Sequence, residues 1–197
     1  MPAERRASCQ RQTRETRVSV TLDLDGQGSS TVTTGVGFLD HMLTSLATHA
    51  RFDLEASAQG DLQVDAHHTV EDVALVLGQA LVECLGDRSG IERFGHAVVP
   101  MDESLAAATV DCSGRVHAVV ELDFVAGDVG GLPPSLLPHF FETLARSGEF
   151  TLHLGAAGAD NHHIAEASFK ALARALRQAT RRDPSLQDRV ASAKGVL

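Results

Sequence analysis

The 197-residue chain contains no tryptophan and no tyrosine, and aromatic residues make up only 4% of it. With no phenol available, acid–base chemistry falls to histidine, aspartate, glutamate and lysine. Cysteine is scarce and scattered. Cys9, Cys84 and Cys112 form no C-x-x-C pair, and they read as reduced cytosolic thiols rather than a disulfide framework. No apolar run approaches the roughly 18 residues of a membrane span, so no membrane partner is expected. The charged stretch from Met1 to Arg17 has no apolar h-region, which argues against a signal peptide and predicts a cytoplasmic protein. Net positive charge is missing too. The formal charge of -9 excludes a general nucleic-acid binder, although a few placed Arg and Lys could still hold a small phosphorylated ligand.

What is present is an ordinary globular balance, 43% hydrophobic and 22% charged, on a chain long enough for one sizeable domain or two fused halves. The chain is written twice. Leu39–Ala47, around His41, recurs at Leu137–Ala145, around His139. Phe52-Asp53-Leu54 recurs as Phe150-Thr151-Leu152. His67-His68-Thr69-Val70-Glu71 recurs as His162-His163-Ile164-Ala165-Glu166, and Thr21–Gly26 resembles Thr109–Gly114. The separations of 98, 95 and 88 residues differ as loop insertions would make them differ. The reading is one ancestral unit duplicated and fused. Two repeats, about 14–92 and 93–184, form a single domain (1–184), followed by an irregular tail (185–197).

Alternating β-branched residues predict a strand over Arg17–Leu24, with a weaker one over Thr31–Thr34. A helical stripe covers Phe38–Ala50. Strands are expected at Phe52–Ser57 and Leu62–Val64, then a helix over Val70–Leu85 stopped by Gly86. The second unit predicts strands at Ser104–Asp111, Val116–Phe124 and Phe150–Leu154, and helices over Pro134–Ser147 and Ile164–Arg181. Strands and helices do not alternate as βαβα units, so the class is α+β, a mixed sheet plus helices in each of two pseudo-symmetric halves.

The chemistry sits in the two His-His-x-x-Glu elements. On a helix, His67 and Glu71 share a face, as do His162 and Glu166. His68 and His163 lie about 100° round from their neighbours, so each pair of adjacent histidines serves two metals more easily than one. In a homo-oligomer, the second of each pair could reach a site shared with another subunit. A lone pair of this kind is more often structural, but two copies in register with the Glu kept favour metal ligation. The repeat adds His41 and His139. The ligand set is then His41, His67, His68, Glu71, His139, His162, His163 and Glu166, which divides into two sites of four. Each would keep a position open for water or substrate. Imidazole-rich sites suit Zn, Fe or Ni and do not single out Mn. Asp40, Asp65, Asp72 and Asp160 are either partners that orient imidazoles or helix caps. Among possible anion contacts, Lys170 stands out, one turn beyond Glu166 on the same face.

Along nearly its whole length the chain resembles the imidazoleglycerol-phosphate dehydratase family. The likeness rests on Arg14-Glu15-Thr16, Gly35–Leu43, His67–Asp72, Arg93-Phe94-Gly95, Pro100–Glu103, Ser113-Gly114-Arg115, His162–Lys170 and Ser192–Gly195. The resemblance implies a lyase of histidine biosynthesis with two Mn(II) per active site. It also implies a homo-oligomer of 24 subunits with active sites between them, and a small phosphorylated imidazole as substrate. By the same resemblance Arg93, Arg115, Lys170, Ser192 and Lys194 surround the substrate phosphate, and Glu15 and His49 touch substrate elsewhere. The reaction removes a hydroxyl from the carbon on the ring and a proton from the next carbon. By the same resemblance, metals on both ring nitrogens would favour the imidazolate, which could then expel the hydroxyl through a diazafulvene-like species. Proton transfer falls to a carboxylate or imidazole, with Glu15, Glu166 and His68 the candidates.

The chain departs from the family pattern at Thr44-Ser45, at Ala66, in the shortened 155–158 loop and across 127–138, without losing a proposed ligand. Two other readings compete. A binuclear metallohydrolase would favour an Asp-rich ligand set. A non-catalytic metal-binding oligomer would not need Arg115, Lys170 or Lys194.

Overall fold

The computed structural model describes residues 4–187 and 189–197. Met1–Ala3 of the charged N-terminal stretch and Asp188 of the tail lie outside the described residues. The elements run β1 (Arg6–Gln12), β2 (Thr16–Asp23), β3 (Ser30–Thr33), α1 (Gly37–Ala50), β4 (Asp53–Gly60) and α2 (His67–Leu85). They repeat as β5 (Phe94–Met101), β6 (Ser104–Asp111), β7 (His117–Asp123), α3 (Leu136–Ser147), β8 (Thr151–Ala157) and α4 (Asn161–Thr180).

Each half forms one four-stranded mixed sheet, ordered β1-β2-β4-β3 and β5-β6-β8-β7. In both, the first three strands pair antiparallel and the last pair is parallel. This repeated topology bears out the α+β, two-halved reading. The helices lie between the sheets. α2 packs on β1 and β2, and α4 packs on β5 and β6. Across the middle, α1 packs on α4 and α2 on α3, so each helix of one half meets a helix of the other. Being covered on two sides, α2 buries Val70, Val73, Ala74, Val76, Leu77, Ala80 and Leu81 around much of its circumference.

Close packing needs small residues at two crossings. A Cβ on Gly95 would overlap the Ala175 carbonyl, so β5 and α4 approach through a glycine. Gly78 plays the same part where α2 meets the Ser147–Gly148 end of α3.

The strands missed by sequence patterning are β1 and β5. β1 is an edge strand with a single buried apolar side chain, Cys9, and β5 turns only Gly95, Ala97, Val99 and Met101 inward. Neither shows the alternation of large apolar residues that marks a half-buried strand. The expected strand at Leu62–Val64 is instead a turn. The Val64 amide donates to the Asp61 carbonyl (2.8 Å) and the chain reverses from β4 into α2. α2 also starts earlier than its apolar stripe, taking His67 and His68 into its first turn.

The three cysteines are free and buried, and burial pushes their thiols up, to about 11 for Cys9 and about 12 for Cys84 and Cys112. No helix among the described residues is long and apolar enough to cross a membrane.

The core centres on Phe140, Phe141 and Phe169, whose ring centroids lie 4.7 to 5.6 Å apart. Because Phe169 is fully buried between α3 and α4, F169A is expected to cost about 3–5 kcal/mol. Denaturant unfolding of the metal-free protein measures this.

Candidate metal centres and a separate basic cluster

The packing of α1 on α4 brings His41 to the second His-His-x-x-Glu element, and the packing of α2 on α3 brings His139 to the first. His41 Nε2 lies 3.3 Å and His162 Nε2 3.2 Å from the same oxygen, Glu166 Oε2. In the other half, His139 Nε2 lies 3.3 Å from Glu71 Oε1, with the His67 ring 4.9 Å from that of His139. Each trio, His41–His162–Glu166 and His67–Glu71–His139, keeps its three donor atoms within 4.8 Å of one another. The pairing therefore crosses the halves, which the repeat alone did not reveal.

These residues fit a divalent ion. Nε2 of His139 is shut off from solvent and has no hydrogen-bond partner, although a carboxylate oxygen is 3.3 Å away. Such an orphaned lone pair facing an anion is costly unless a cation lies between them.

Of the four ligands expected per site, three converge. The fourth, His68 or His163, turns away. The rings of His67 and His68 stand at 78°, and those of His162 and His163 at 89°. His68 Nδ1 faces Asp61 (3.1 and 3.2 Å), with Glu15 at 3.8 Å. His163 Nδ1 faces Glu103 (2.8 Å). Asp61 raises the pKa of His68, and Glu103 raises that of His163. The same contact helps hold Glu103 at about 2.

The four aspartates beside the ligands make no imidazole contact among the described residues. Asp160 caps α4 through the amides of His162 (2.7 Å) and His163 (3.3 Å), and Asp65 accepts from the His67 amide (2.8 Å). Asp40 binds Thr34, and Asp72 binds Arg11 and Thr16. The carboxylates that meet the outward-turned imidazoles, Asp61 and Glu103, are not among the residues that sequence reasoning singles out. One signal was available, since Glu103 stands 88 residues after Glu15, the separation already seen between Thr21 and Thr109.

Lys170 lies where its spacing predicted, with Nζ 2.8 Å from Glu166 Oε1. Burial pushes the Glu166 carboxyl up, but Lys170 and His41 outweigh it and the group titrates below the usual range. His49, in the last turn of α1, has its pKa lowered by burial and by the nearby charges of Lys170 and Arg174.

The remaining anion candidates lie elsewhere. Buried Arg93 grips Asp111 with Nε (2.7 Å) and Nη2 (3.1 Å) and donates Nη1 to the Ala191 carbonyl of the tail (2.7 Å). Arg115 reaches the same Asp111 (3.3 Å) and is mostly exposed. Ser192 and Lys194 follow in the tail, where the Lys194 amide donates to Ser192 Oγ. Arg93 and Arg115, joined through Asp111, sit at the start of β5, where the Arg93 guanidinium stacks over Phe94. The other end of β5, Met101, touches Lys170 and leads to Glu103 and His163. Seven residue steps at about 3.3 Å each separate the two ends by roughly 23 Å. One chain therefore does not gather all the named site residues.

Ligation needs unprotonated nitrogens. The neighbouring carboxylates favour the protonated imidazoles of His68 and His163, so proton competition there extends to higher pH than for a free histidine. Mn(II) affinity is expected to rise from pH 6 to pH 8 with proton release on binding, measured by calorimetry in buffers of different ionisation enthalpy. H139A is expected to lower affinity at its cluster at least about tenfold in the same titration.

The family model described as imidazoleglycerol-phosphate dehydratase matches residues 34–176. The chain is 51% identical to the imidazoleglycerol-phosphate dehydratase of Granulibacter bethesdensis, over 98% of this chain and 99% of the relative. It is 52% identical to that of Acidiphilium cryptum over 98% and 99%. Its fold matches the Pyrococcus furiosus IGPD crystal structure, solved in complex with (S)-C348, at a TM-score of 0.81 and 38% identity, covering 95% of this chain and 99% of that one. The Staphylococcus aureus imidazoleglycerol-phosphate dehydratase matches at a TM-score of 0.79 and 35% identity, over 90% and 100%. With the family model matching most of the chain and relatives about half identical over nearly its whole length, the chain belongs to the imidazoleglycerol-phosphate dehydratase family.

Proposed function

We propose that the chain dehydrates imidazoleglycerol phosphate to imidazole acetol phosphate, a cytoplasmic step of histidine biosynthesis. The observation that carries this reading is the pair of His2Glu trios, each with a further imidazole turned outward, on a chain of this family. His41, His162 and Glu166 would hold one ion, and His67, Glu71 and His139 the other. His68 and His163 would complete sites on neighbouring subunits. Two bound Mn(II) would supply Lewis acidity that favours the deprotonated form of the substrate's ring.

The chain's own side chains divide the remaining work. Lys170 and His49 offer positive or donating groups beside the trio of Glu166. Arg115, Ser192 and Lys194 offer donors for a phosphate, and Arg93 ties the tail that carries two of them to Asp111. Glu166 already serves two imidazoles and Lys170. Glu15 is more than half exposed and 3.8 Å from His68, so it is the freer carboxylate to take the proton from carbon. The imidazole-rich donor set weighs against the hydrolase reading, and the candidate phosphate donors weigh against the non-catalytic one.

A substrate this small cannot span roughly 23 Å of strand. The basic end of one chain would therefore meet the metal end of another, consistent with an assembly such as the family's 24 subunits. The two sheets support a choice of face. The outer face of the first carries Ser8, Gln10, Arg17, Ser19, Thr21, Glu55 and Ser57, while that of the second exposes Val98 (64%) and Leu105 (53%) beside Pro100, Ala107 and Ala157, with Phe94 (55%) beyond a row of His96, Thr109 and His153. An exposed apolar patch of this kind marks an interaction surface.

Turnover of imidazoleglycerol phosphate is expected with Mn(II) and is expected to stop on chelation. No product from folded, metal-loaded protein would refute the assignment. For the assembly, V98E combined with L105E is expected to reduce particle mass by light scattering, whereas S19E on the polar sheet leaves it unchanged.

A further inference from the structure

His68 and His163 share one unusual arrangement. Each is the second histidine of its pair, each ring stands nearly perpendicular to its neighbour, and each Nδ1 faces a carboxylate rather than a trio. An ionised carboxylate only accepts, so Nδ1 carries the proton in both rings and Nε2 keeps its lone pair. The opposite tautomer would set that lone pair against the carboxylate. His68 Nε2 has no partner among the described residues, and the nearest acid to His163 Nε2 is the exposed Asp102 at 3.8 Å.

We propose that Asp61 and Glu103 are positioning residues, which fix His68 and His163 with Nδ1 inward and Nε2 presented to a divalent ion whose other ligands come from a second copy of the chain. The inference rests on the metal reading proposed above and goes beyond it by naming what orients the fourth ligand.

The two halves reach the same arrangement with different residues. The separation that relates the hairpins places Glu15 opposite Glu103. The one that relates the helices and following strands places Gly60 opposite Gly158, and so Asp61 opposite Ala159. With alanine at 159, the second half draws on its hairpin glutamate. Glu103 is locked there by Ser104 Oγ (2.8 Å) and the amides of Ala159 (3.3 Å) and Asp160 (3.0 Å). In the first half Asp61 holds the ring, and Glu15 is left 3.8 Å away. The same hairpin position is thus a fixed orienter in one half and an uncommitted carboxylate in the other. Asp61 is what frees Glu15.

The test compares Mn(II) binding to the full-length protein, read from the free-ion EPR signal, for wild type, D61A, E103A and D61N. The alanine variants are expected to lose about 10–100-fold in affinity at one class of site. D61N keeps an oxygen that accepts from Nδ1–H and is expected to recover most of it. Melting of the metal-free proteins by circular dichroism separates this from a folding defect, and it is expected to change little. Alanine variants that bind Mn(II) as tightly as wild type would overturn the proposal, as would a D61N variant as weak as D61A. A wild-type protein that binds no divalent ion would overturn the metal reading itself.

Discussion

Two imidazole nitrogens and a carboxylate oxygen within 4.8 Å of one another repel unless a proton or a cation sits among them. The fold produces that convergence twice, and it does so by packing α1 on α4 and α2 on α3 across the boundary between the halves. Neither half could assemble a trio alone, because His41 and His139 lie on helices that face the opposite repeat. The helix layer between two sheets is what holds those crossings, and glycines at 78 and 95 let its members approach closely. Fold stability and ligand geometry are therefore one constraint.

The duplication is faithful in its strands and broken in its chemistry. Lys170 beside Glu166 corresponds to Leu75 beside Glu71, and His49 corresponds to Ser147, whose hydroxyl merely donates to the Leu75 carbonyl (2.6 Å). Only one trio thus has a cation and an imidazole in its neighbouring groove. Asp61 and Ala159 differ in the same way. Two equivalent candidate ion sites with unequal surroundings would suit the proposed substrate, whose ring could engage two ions while its hydroxyl and its acidic tail need different partners.

Much of this was legible in the sequence. The offsets between repeats revealed the two halves, and the helical period placed His68 and His163 away from the trios. The α+β class followed from the order of elements. What stayed hidden has physical causes. β1 and β5 bury too little large apolar surface to show a period of two. Leu62 and Val64 look like strand residues but serve a turn. The cross-half pairing is a tertiary fact, and so is the grip of Asp111 on Arg93, which turns a candidate phosphate ligand into an anchor for the tail. Carboxylates that orient imidazoles cannot be told by spacing from those that cap helices, because both uses need only an acid near a helix start.

The central claim is that each active centre takes its metal end from one copy of the chain and its phosphate end from another. The direct test mixes K170A and R115A, each expected to be inactive alone, dissociates and reassembles them together, and assays dehydration. Shared sites would include some with an intact lysine from one copy and an intact arginine from the other, so activity is predicted to return on mixing. A mixture as inactive as its two components would place both residues in the same chain's site and contradict the account.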